Sequence, residues 1–265
     1  MINSRANSLN YTTVTEIPNV RASGEQMGRL YSRYRFASEY CDNRDVLEVA
    51  CGAGIGLGYL AKTARRVVGG DIDKNNLSFA LDTYAGRNNI EVTALDAHDL
   101  HFDKDSFDVV ICYEALYYLE QPERFIEEAH RILRRGGVLI ICLANKDWTG
   151  FNPSPYSYNY FSVPELYSLL HKGGFDVSIF ADSPVDDGGF KNRVINFIKR
   201  TAVRLHLIPK TMKGKERLKR LFCGKLYPLP SEITDGMADY TPPVQISHKG
   251  NNTQFKVVFA VGHVK

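Results

Sequence analysis

The sequence predicts an α/β protein built on a mostly parallel β-sheet. Short apolar runs alternate with helical patterns, a glycine-dense turn follows the first run, and an acidic residue ends the second. The runs cover residues 46–49, 66–70, 90–95, 108–112 and 138–143. Strands and helices alternate in this way in parallel sheets, whose crossover helices pack on the sheet faces. At 265 residues and 44% hydrophobic content, the chain can form one such domain with an insertion.

The first strand leads into the sequence VLEVACGAGIG, which ends at Gly56. Its three glycines allow backbone torsions and close approaches that a Cβ would block. The helix that follows directs its amide donors toward the turn. Leu57 breaks the dinucleotide-binding spacing, which needs its third glycine one position later. Glu48, four positions before the first glycine, would repel a pyrophosphate, so it favours a ligand that carries a cationic amine.

The next elements place acids at strand ends. Asp71, with Asp73 as a near neighbour, ends the second strand about 20 residues after the turn, where comparable folds bind ribose hydroxyls. The third strand, 90–95, leads into DAHDL at 96–100. A fourth strand at 106–112, a helix at 120–133 and a fifth strand at 134–141 follow.

The remaining elements flank this core. An irregular lead-in precedes a predicted helix at 25–40. Pro164 begins another helix, which Gly173 ends. We expect a sixth strand at 175–180 and a last strand at 254–261. About 70 residues, 182–250, separate these two strands, which is far more than a hairpin needs.

These motifs, in this order, resemble those of the class I S-adenosylmethionine (SAM) dependent methyltransferases, and in particular the type 11 small-molecule enzymes. The resemblance covers about residues 25–180 and includes D-x-x-x-L from Asp96, F-D-V-V from Phe107 and R-x-L-x-x-G-G from Arg131. Ala50 departs from the glycine of many relatives. The resemblance implies a Rossmann-like sheet of seven strands, mostly parallel with an antiparallel last strand, and a basic helical insertion before that strand. It also implies SAM as cofactor and S-adenosylhomocysteine as product.

The resemblance assigns a role in cofactor binding to each motif. Glu48 would lie near the methionine amine, Asp71 would bind the ribose, and Ile72 would pack on the adenine. Asp96 and the Ala97 amide would meet the adenine edge. The backbone of Gly52, Ala53 and Gly54 would approach the cofactor, and Tyr113 would line its pocket. The alternative for Asp71 and Asp96 is helix capping.

The predicted helix at 25–40 could close this pocket as a lid. Arg33 could pair with the methionine carboxylate, and Tyr31 or Tyr34 could cover the sulfonium. The alternative is a polar helix whose aromatic residues only pack.

The catalytic base is not fixed by the sequence. SAM already carries an activated methyl group, so alignment of the acceptor supplies most of the acceleration. A base matters when the acceptor is a hydroxyl. Candidates beyond the strand ends are Glu114, Tyr117 and His98. Glu114 could equally be structural, and His98 has the alternative of a surface or capping role.

An aromatic segment, 148–161, follows the fifth strand. Its hydroxyl-bearing rings suit sugars and other amphiphilic acceptors, although they could also simply cover the domain surface. The candidate acceptor-binding residues are Tyr117, Tyr118, Trp148, Tyr156 and Tyr158.

The charge is unevenly distributed. The net charge is +3, yet residues 191–225 hold twelve Lys or Arg and one acid, so the rest of the chain is acidic. This segment could be a solvated helical face, or it could bind a phosphate-bearing acceptor or an anionic membrane surface through 190–225. A small-molecule acceptor is the expected partner, and no stable nucleic-acid complex is expected. An RNA methyltransferase would instead use the basic segment on phosphates.

We therefore expect a lead-in with a lid helix at 1–40, a SAM-binding core at 41–181, a basic insertion at 182–250 and a final strand at 251–265. Five scattered cysteines favour reduced thiols without a metal site, which is typical of a cytoplasmic protein. Peripheral contact with the inner face of the membrane is a further hypothesis. The first residues lack a secretory signal pattern. We expect methyl transfer to a hydroxyl of a sugar or glycolipid precursor. The alternatives are C- or N-methylation of a quinone-like or other metabolite, RNA methylation, and a SAM-binding protein without turnover.

Overall fold

A computed structural model describes residues 11, 14–154, 156–185 and 225–265. The predicted basic segment, 190–225, lies outside the described residues except for Lys225. Its predicted helical character therefore stays a prediction.

The described chain follows the predicted order of elements. The strands are β1 (Arg21–Ser23), β2 (Asp45–Val49), β3 (Arg66–Asp71), β4 (Ile90–Ala94), β5 (Phe107–Tyr113), β6 (Leu133–Ala144), β7 (Phe175–Pro184), β8 (Leu226–Pro228), β9 (Val244–Ile246) and β10 (Phe255–Val264). The helices are α1 (Gly24–Ser38), α2 (Leu57–Leu60), α3 (Lys74–Tyr84), α4 (Pro122–Ile132) and α5 (Val163–Lys172).

Local sequence signals set the helix ends. Ser23 and Gln26 form a capping box that begins α1, one residue before the predicted start. Ser162 and Glu165 form another at the start of α5. Pro122 begins α4, because a missing N–H is harmless in the first turn.

The main sheet has the order β4-β3-β2-β5-β6-β10-β7-β9. Its strands β2 to β6 pair in parallel, and β10 runs antiparallel to both β6 and β7. The predicted fold class, with an antiparallel last strand, is confirmed. The predicted number of strands was one too few, because β9 adds an eighth strand at the edge beside β7. A three-residue edge strand carries too little alternation to be recognised in a sequence.

A second, two-stranded sheet pairs β1 with β8. The region predicted as an insertion, 182–250, therefore begins within β7 and contributes β8 and β9. Buried apolar side chains pack on both faces of the main sheet. The parallel strands β2 to β6 have their carboxyl ends on the same side of the sheet, and the polar residues of the motifs lie at these ends.

Candidate functional site

A cavity of about 790 Å³ lies at the carboxyl ends of the central strands. Its walls come from β2, β3, β5, β7 and β10, from α1 and from the chain that precedes α1. This volume is within the range of pockets that hold small molecules. The cavity contains most, but not all, of the predicted site residues.

Glu48 lies on the floor of the cavity with only 1% of its surface exposed. The Tyr34 hydroxyl donates a hydrogen bond to Glu48 Oε1 at 2.5 Å. The second oxygen, Oε2, has no hydrogen-bond partner among the described atoms. Burial raises the pKa of Glu48 to about 7, and the Tyr34 hydroxyl and the Arg33 charge oppose this shift. A buried carboxylate with a free oxygen can accept a cationic donor.

The glycine turn brings backbone, not side chains, to the cavity. Gly52 has a φ of +58°, and its amide donates to Asp71 Oδ2 at 2.8 Å. Ala53 and Gly54 do not line the cavity. The Gly54 carbonyl instead accepts a hydrogen bond from the Tyr84 hydroxyl at 2.8 Å, on the side of α3. Of the three residues expected to approach the cofactor, only Gly52 lines the cavity.

Asp71 is held in place by the backbone. Besides the Gly52 amide, its carboxylate accepts the Asp73 amide at 2.8 Å, and burial raises its pKa. Asp73 is the residue that caps α3, through the Asn75 amide. The capping alternative therefore describes Asp73 rather than Asp71. Ile72 is 46% exposed and lines the cavity, which leaves a flat apolar surface for a ring.

Asp96, Ala97 and His98 line the same end of the cavity. Asp96 Oδ1 accepts the His98 amide at 2.9 Å and lies 2.8 Å from His98 Nδ1. The His98 carbonyl also accepts a hydrogen bond from Arg124 at 3.2 Å. These contacts fix the loop, so the geometry favours the structural alternative for His98 over a catalytic one.

The helix α1 contributes Arg33 and Tyr34 to the cavity wall, and its action as a lid stays a prediction. The Arg33 guanidinium is buried, 2.5 Å from Glu16 and 3.4 Å from Glu114. Burial alone would lower the pKa of Arg33, but these two carboxylates outweigh it and raise the pKa above its usual value. Arg33 Nε has no partner among the described atoms.

Tyr31 lies outside the cavity, which corrects its assignment to the cofactor pocket. It packs edge-to-face on Tyr59 and Tyr240, and its hydroxyl accepts the Gly236 amide at 3.2 Å. Tyr34 reaches Glu48 on β2, whereas Tyr31 contacts α2 and the later chain.

No sequence pattern predicted the wall that is formed by the residues preceding α1. The Tyr11 amide donates to Asp73 at 3.1 Å, and the Thr15 hydroxyl accepts from Asn76 at 3.1 Å. Tyr11, Val14, Thr15 and Glu16 all line the cavity. An irregular segment has no periodicity from which such contacts could be predicted.

Glu114 lies at the end of β5, beside the middle of the cavity. Its backbone has a φ of +51°, in the left-handed region that is unusual for a residue other than glycine. The Tyr117 hydroxyl donates to Glu114 Oε2 at 3.0 Å, and burial raises the pKa of that hydroxyl well above its ordinary value. Strained backbone of this kind is frequent at functional positions.

The aromatic residues divide into two groups. Tyr117, Tyr118 and Tyr158 line the cavity, and Tyr158 is 54% exposed at its mouth. Trp148 and Tyr156 do not line it. The Trp148 ring lies under the Lys256 ammonium instead, and the Tyr156 ring meets Tyr11 at 6.4 Å. The sequence prediction also missed Tyr160, which stacks on Tyr117 with ring centroids 4.2 Å apart.

The far end of the cavity is made by residues that no motif indicated. They are Gln26, Arg29 and Leu30 from α1, Asp182 from β7 and Val257 from β10. Asp182 accepts the Ser32 hydroxyl at 2.7 Å and the Ser183 amide. Burial raises the pKa of the Cys142 thiol on β6, and Arg29 and Asp182 are both close enough to act on it, in opposite directions.

Within the described ranges, no group of three or more metal-ligating side chains could hold a metal ion. In the same part of the chain, no helix is long and apolar enough to cross a membrane.

Comparison with known proteins shows what this arrangement resembles. The model of the family described as "Methyltransferase domain" matches residues 47–141. A probable SAM-dependent methyltransferase of Mycolicibacterium smegmatis is 28% identical over 181 residues, which are 66% of this chain and 68% of that protein.

Two further relatives have names that include an acceptor. Demethylmenaquinone methyltransferase of Clavibacter sepedonicus is 34% identical over 97 residues, which are 37% of this chain and 40% of that enzyme. Ubiquinone biosynthesis O-methyltransferase of Coxiella burnetii is 28% identical over 138 residues, or 52% of this chain and 57% of the enzyme. The chain thus spans about half the length of these two relatives.

Solved structures show the same fold. The YcgJ protein of Bacillus subtilis superposes with a TM-score of 0.58 at 15% identity, over 89% of this chain and 99% of that one. A SAM-dependent methyltransferase of Thermotoga maritima gives 0.57 at 15% identity, over 91% and 92%. At these identities the likeness concerns the fold alone.

Proposed function

Because the chain belongs to the class I SAM-dependent methyltransferases, we propose that it transfers the methyl group of SAM to a hydroxyl of a small-molecule acceptor, with a sugar or glycolipid precursor as the first candidate. The observation that carries this proposal is the position of Glu114. Its carboxylate lines the same cavity as the cofactor motifs and the tyrosines, hydrogen-bonded to Tyr117 and next to Arg33.

The cavity fits the cofactor. The unpartnered Glu48 Oε2 suits the amino group, and Arg33 suits the carboxylate of the methionine part. Asp71 is oriented by two amides near the predicted ribose position, and the exposed side chain of Ile72 suits the adenine ring. SAM supplies a methyl group already activated on a sulfonium.

The protein's own contribution is alignment and proton removal. The acceptor oxygen forms a bond to the methyl carbon as the sulfur–carbon bond breaks, which leaves S-adenosylhomocysteine. The acceptor proton passes to Glu114, which accepts a hydrogen bond from Tyr117 and forms an ion pair with Arg33. Arg33 and Tyr117 would hold this carboxylate in one orientation.

The rings at the mouth support an amphiphilic acceptor. Tyr117, Tyr118 and Tyr158 combine apolar faces with hydroxyl groups, which suits a molecule that is partly apolar and partly hydroxylated. The sequence between residues 191 and 225 contains twelve basic residues, and such clusters bind anions, which supports an acceptor that carries a phosphate.

The test uses the full chain, methyl-labelled SAM and a fractionated bacterial extract. We expect label in the nucleotide-sugar or glycolipid fraction, resistant to ribonuclease. Glu114→Gln should lower kcat about 100-fold or more and leave the SAM dissociation constant unchanged. Glu127→Gln, on the exposed face of α4, is the matched control and should keep full activity. Label in RNA would refute the proposal, as would wild-type kcat in Glu114→Gln.

A second candidate follows from the names of two relatives. Demethylmenaquinone methyltransferase and ubiquinone biosynthesis O-methyltransferase both act in quinone chemistry by name. A ring acceptor could stack on the tyrosine pair Tyr117–Tyr160. Label in the organic-solvent fraction, on a molecule with quinone absorbance, would favour this candidate over a sugar.

A further inference from the structure

The far end of the cavity has the position expected for the acceptor. In the sheet order, Asp71 and Asp96 lie at the ends of β3 and β4, while Asp182 and Val257 lie on β7 and β10 at the opposite side. Glu48 on β2 and Glu114, directly after β5, are between them. Under the proposed function, the cofactor lies over β2 and β3, which leaves the end beside β7 and β10 for a part of the acceptor that the tyrosines do not hold.

The residues of this end lie outside the part of the chain that the family model matches. Gln26, Arg29, Asp182 and Val257 all fall outside the matched methyltransferase domain, 47–141. The cofactor residues Glu48, Asp71 and Asp96 fall within it. Groups that distinguish one acceptor from another are expected outside the shared domain.

Four of the carboxylates that line the cavity have partners among the described residues. Glu16 and Glu114 flank Arg33, Asp182 accepts from Ser32 and Ser183, and Asp96 accepts from His98. Arg29 differs from them. It is half-buried in the cavity wall one helical turn before Arg33, and it makes no hydrogen bond or ion pair with the residues that the structure describes.

A guanidinium offers five donors in a planar fork that matches the two oxygens of a carboxylate or phosphate. We propose that Arg29 is the acceptor-recognition residue of this cavity and that it binds an oxyanion of the acceptor, either a carboxylate or a phosphate. The inference rests on the proposed function, because it assumes that the cofactor fills the other end. The acceptor is thus an acidic molecule, such as an acidic or phosphorylated sugar.

The test measures binding without turnover. The full chain is saturated with S-adenosylhomocysteine and titrated by calorimetry with glucose 1-phosphate, glucuronate and uncharged glucose. We expect the two anions to bind more tightly than glucose, and Arg29→Gln to weaken them about tenfold or more. Tighter glucose 1-phosphate binding would identify a phosphate acceptor, and tighter glucuronate binding a carboxylate.

The matched control is Arg35→Gln, because Arg35 lies on the same helix outside the cavity and pairs with Glu39. It should bind the anions like the wild type, and both variants should keep their affinity for S-adenosylhomocysteine. Equal anion affinity in wild type and Arg29→Gln would overturn the inference, as would anions that bind no better than glucose. If no fraction takes up label but anions still bind in a way that depends on Arg29, the proposed methyl transfer fails and the inference about anion binding stands.

Discussion

The buried carboxyl group of Glu48 links cofactor recognition to folding stability. Its pKa is raised to about 7 by burial, from an ordinary value of 4.5. The folded chain therefore holds this proton more tightly than the unfolded chain does. The contribution of Glu48 to stability is fully present below pH 4.5 and is lost as the pH rises through about 7. A cationic ligand group at Oε2 would recover part of this loss.

Glu48→Gln should consequently make the unliganded protein more stable at pH 8, by about 3 kcal/mol at most, and leave it unchanged at pH 4. The same change should weaken SAM binding about tenfold or more, because it removes the charge that we propose faces the amine of SAM. Urea unfolding at the two pH values, together with a SAM titration at pH 8, measures both effects.

Glu91→Gln is the control, since Glu91 forms an exposed ion pair with Arg66 on β3. Its effect on stability should stay within about 1 kcal/mol at either pH. A Glu48→Gln variant that is less stable than the wild type at pH 8 would contradict the assignment of a raised pKa.

At the scale of helices and strands, two glycines differ in what an added side chain would meet: packing requires a glycine at one position, and only helix propensity matters at the other. A Cβ on Gly56, at the start of α2, would lie 1.8 Å from the Tyr34 ring. A Cβ on Gly28, within α1, would meet no atom within 4 Å. The glycine turn is thus close to α1 because Gly56 leaves room for the ring that hydrogen-bonds Glu48.

Gly56→Ala should destabilise the protein by about 1–3 kcal/mol, because either Tyr34 or α1 must move. It should also weaken SAM binding, since Tyr34 would no longer hold Glu48. Gly28→Ala should instead stabilise by about 0.5–1 kcal/mol and leave SAM binding intact. Thermal unfolding and a SAM titration of the two variants form the test. Similar effects from both substitutions would refute the proposed contact.

Across the whole molecule, the sequence predicted the features that local patterns determine. The order of strands and helices along the chain and the positions of Glu48, Asp71 and Asp96 depend on short motifs, and the structure brings these three acids to one cavity. That Arg29 and Asp182 line one cavity could not be predicted, because 152 intervening residues separate them and they come together only where α1 packs on β7, with Ser32 hydrogen-bonded to Asp182. Glu16 was missed because irregular chain carries no periodic signal.

The two ends of the parallel strands in the main sheet have different roles. The cavity lies at the carboxyl ends of the parallel strands. An ion-pair cluster lies at their amino ends and consists of Asp45, Asp108, Arg65 and Arg134. The hydrogen bond from Arg65, supported by Arg134, lowers the pKa of Asp45 below its ordinary value of 3.8. This cluster ties the first residues of β2, β5 and β6 together at a distance from every predicted site residue.

Asp45→Asn should therefore lower stability at pH 7 without affecting SAM binding. We expect a loss of about 1 kcal/mol, because Arg65 is largely exposed and water screens the pair. The stabilisation by Asp45 is present above pH 3.8 and is lost as the pH falls through the lowered pKa, so the difference between variant and wild type should shrink below that pH. Urea unfolding at pH 7 and pH 3, with a SAM titration at pH 7, measures this. A weakened SAM affinity would contradict the separation of the two ends, because it would mean that the cluster at the amino ends of the strands also positions the groups at their carboxyl ends.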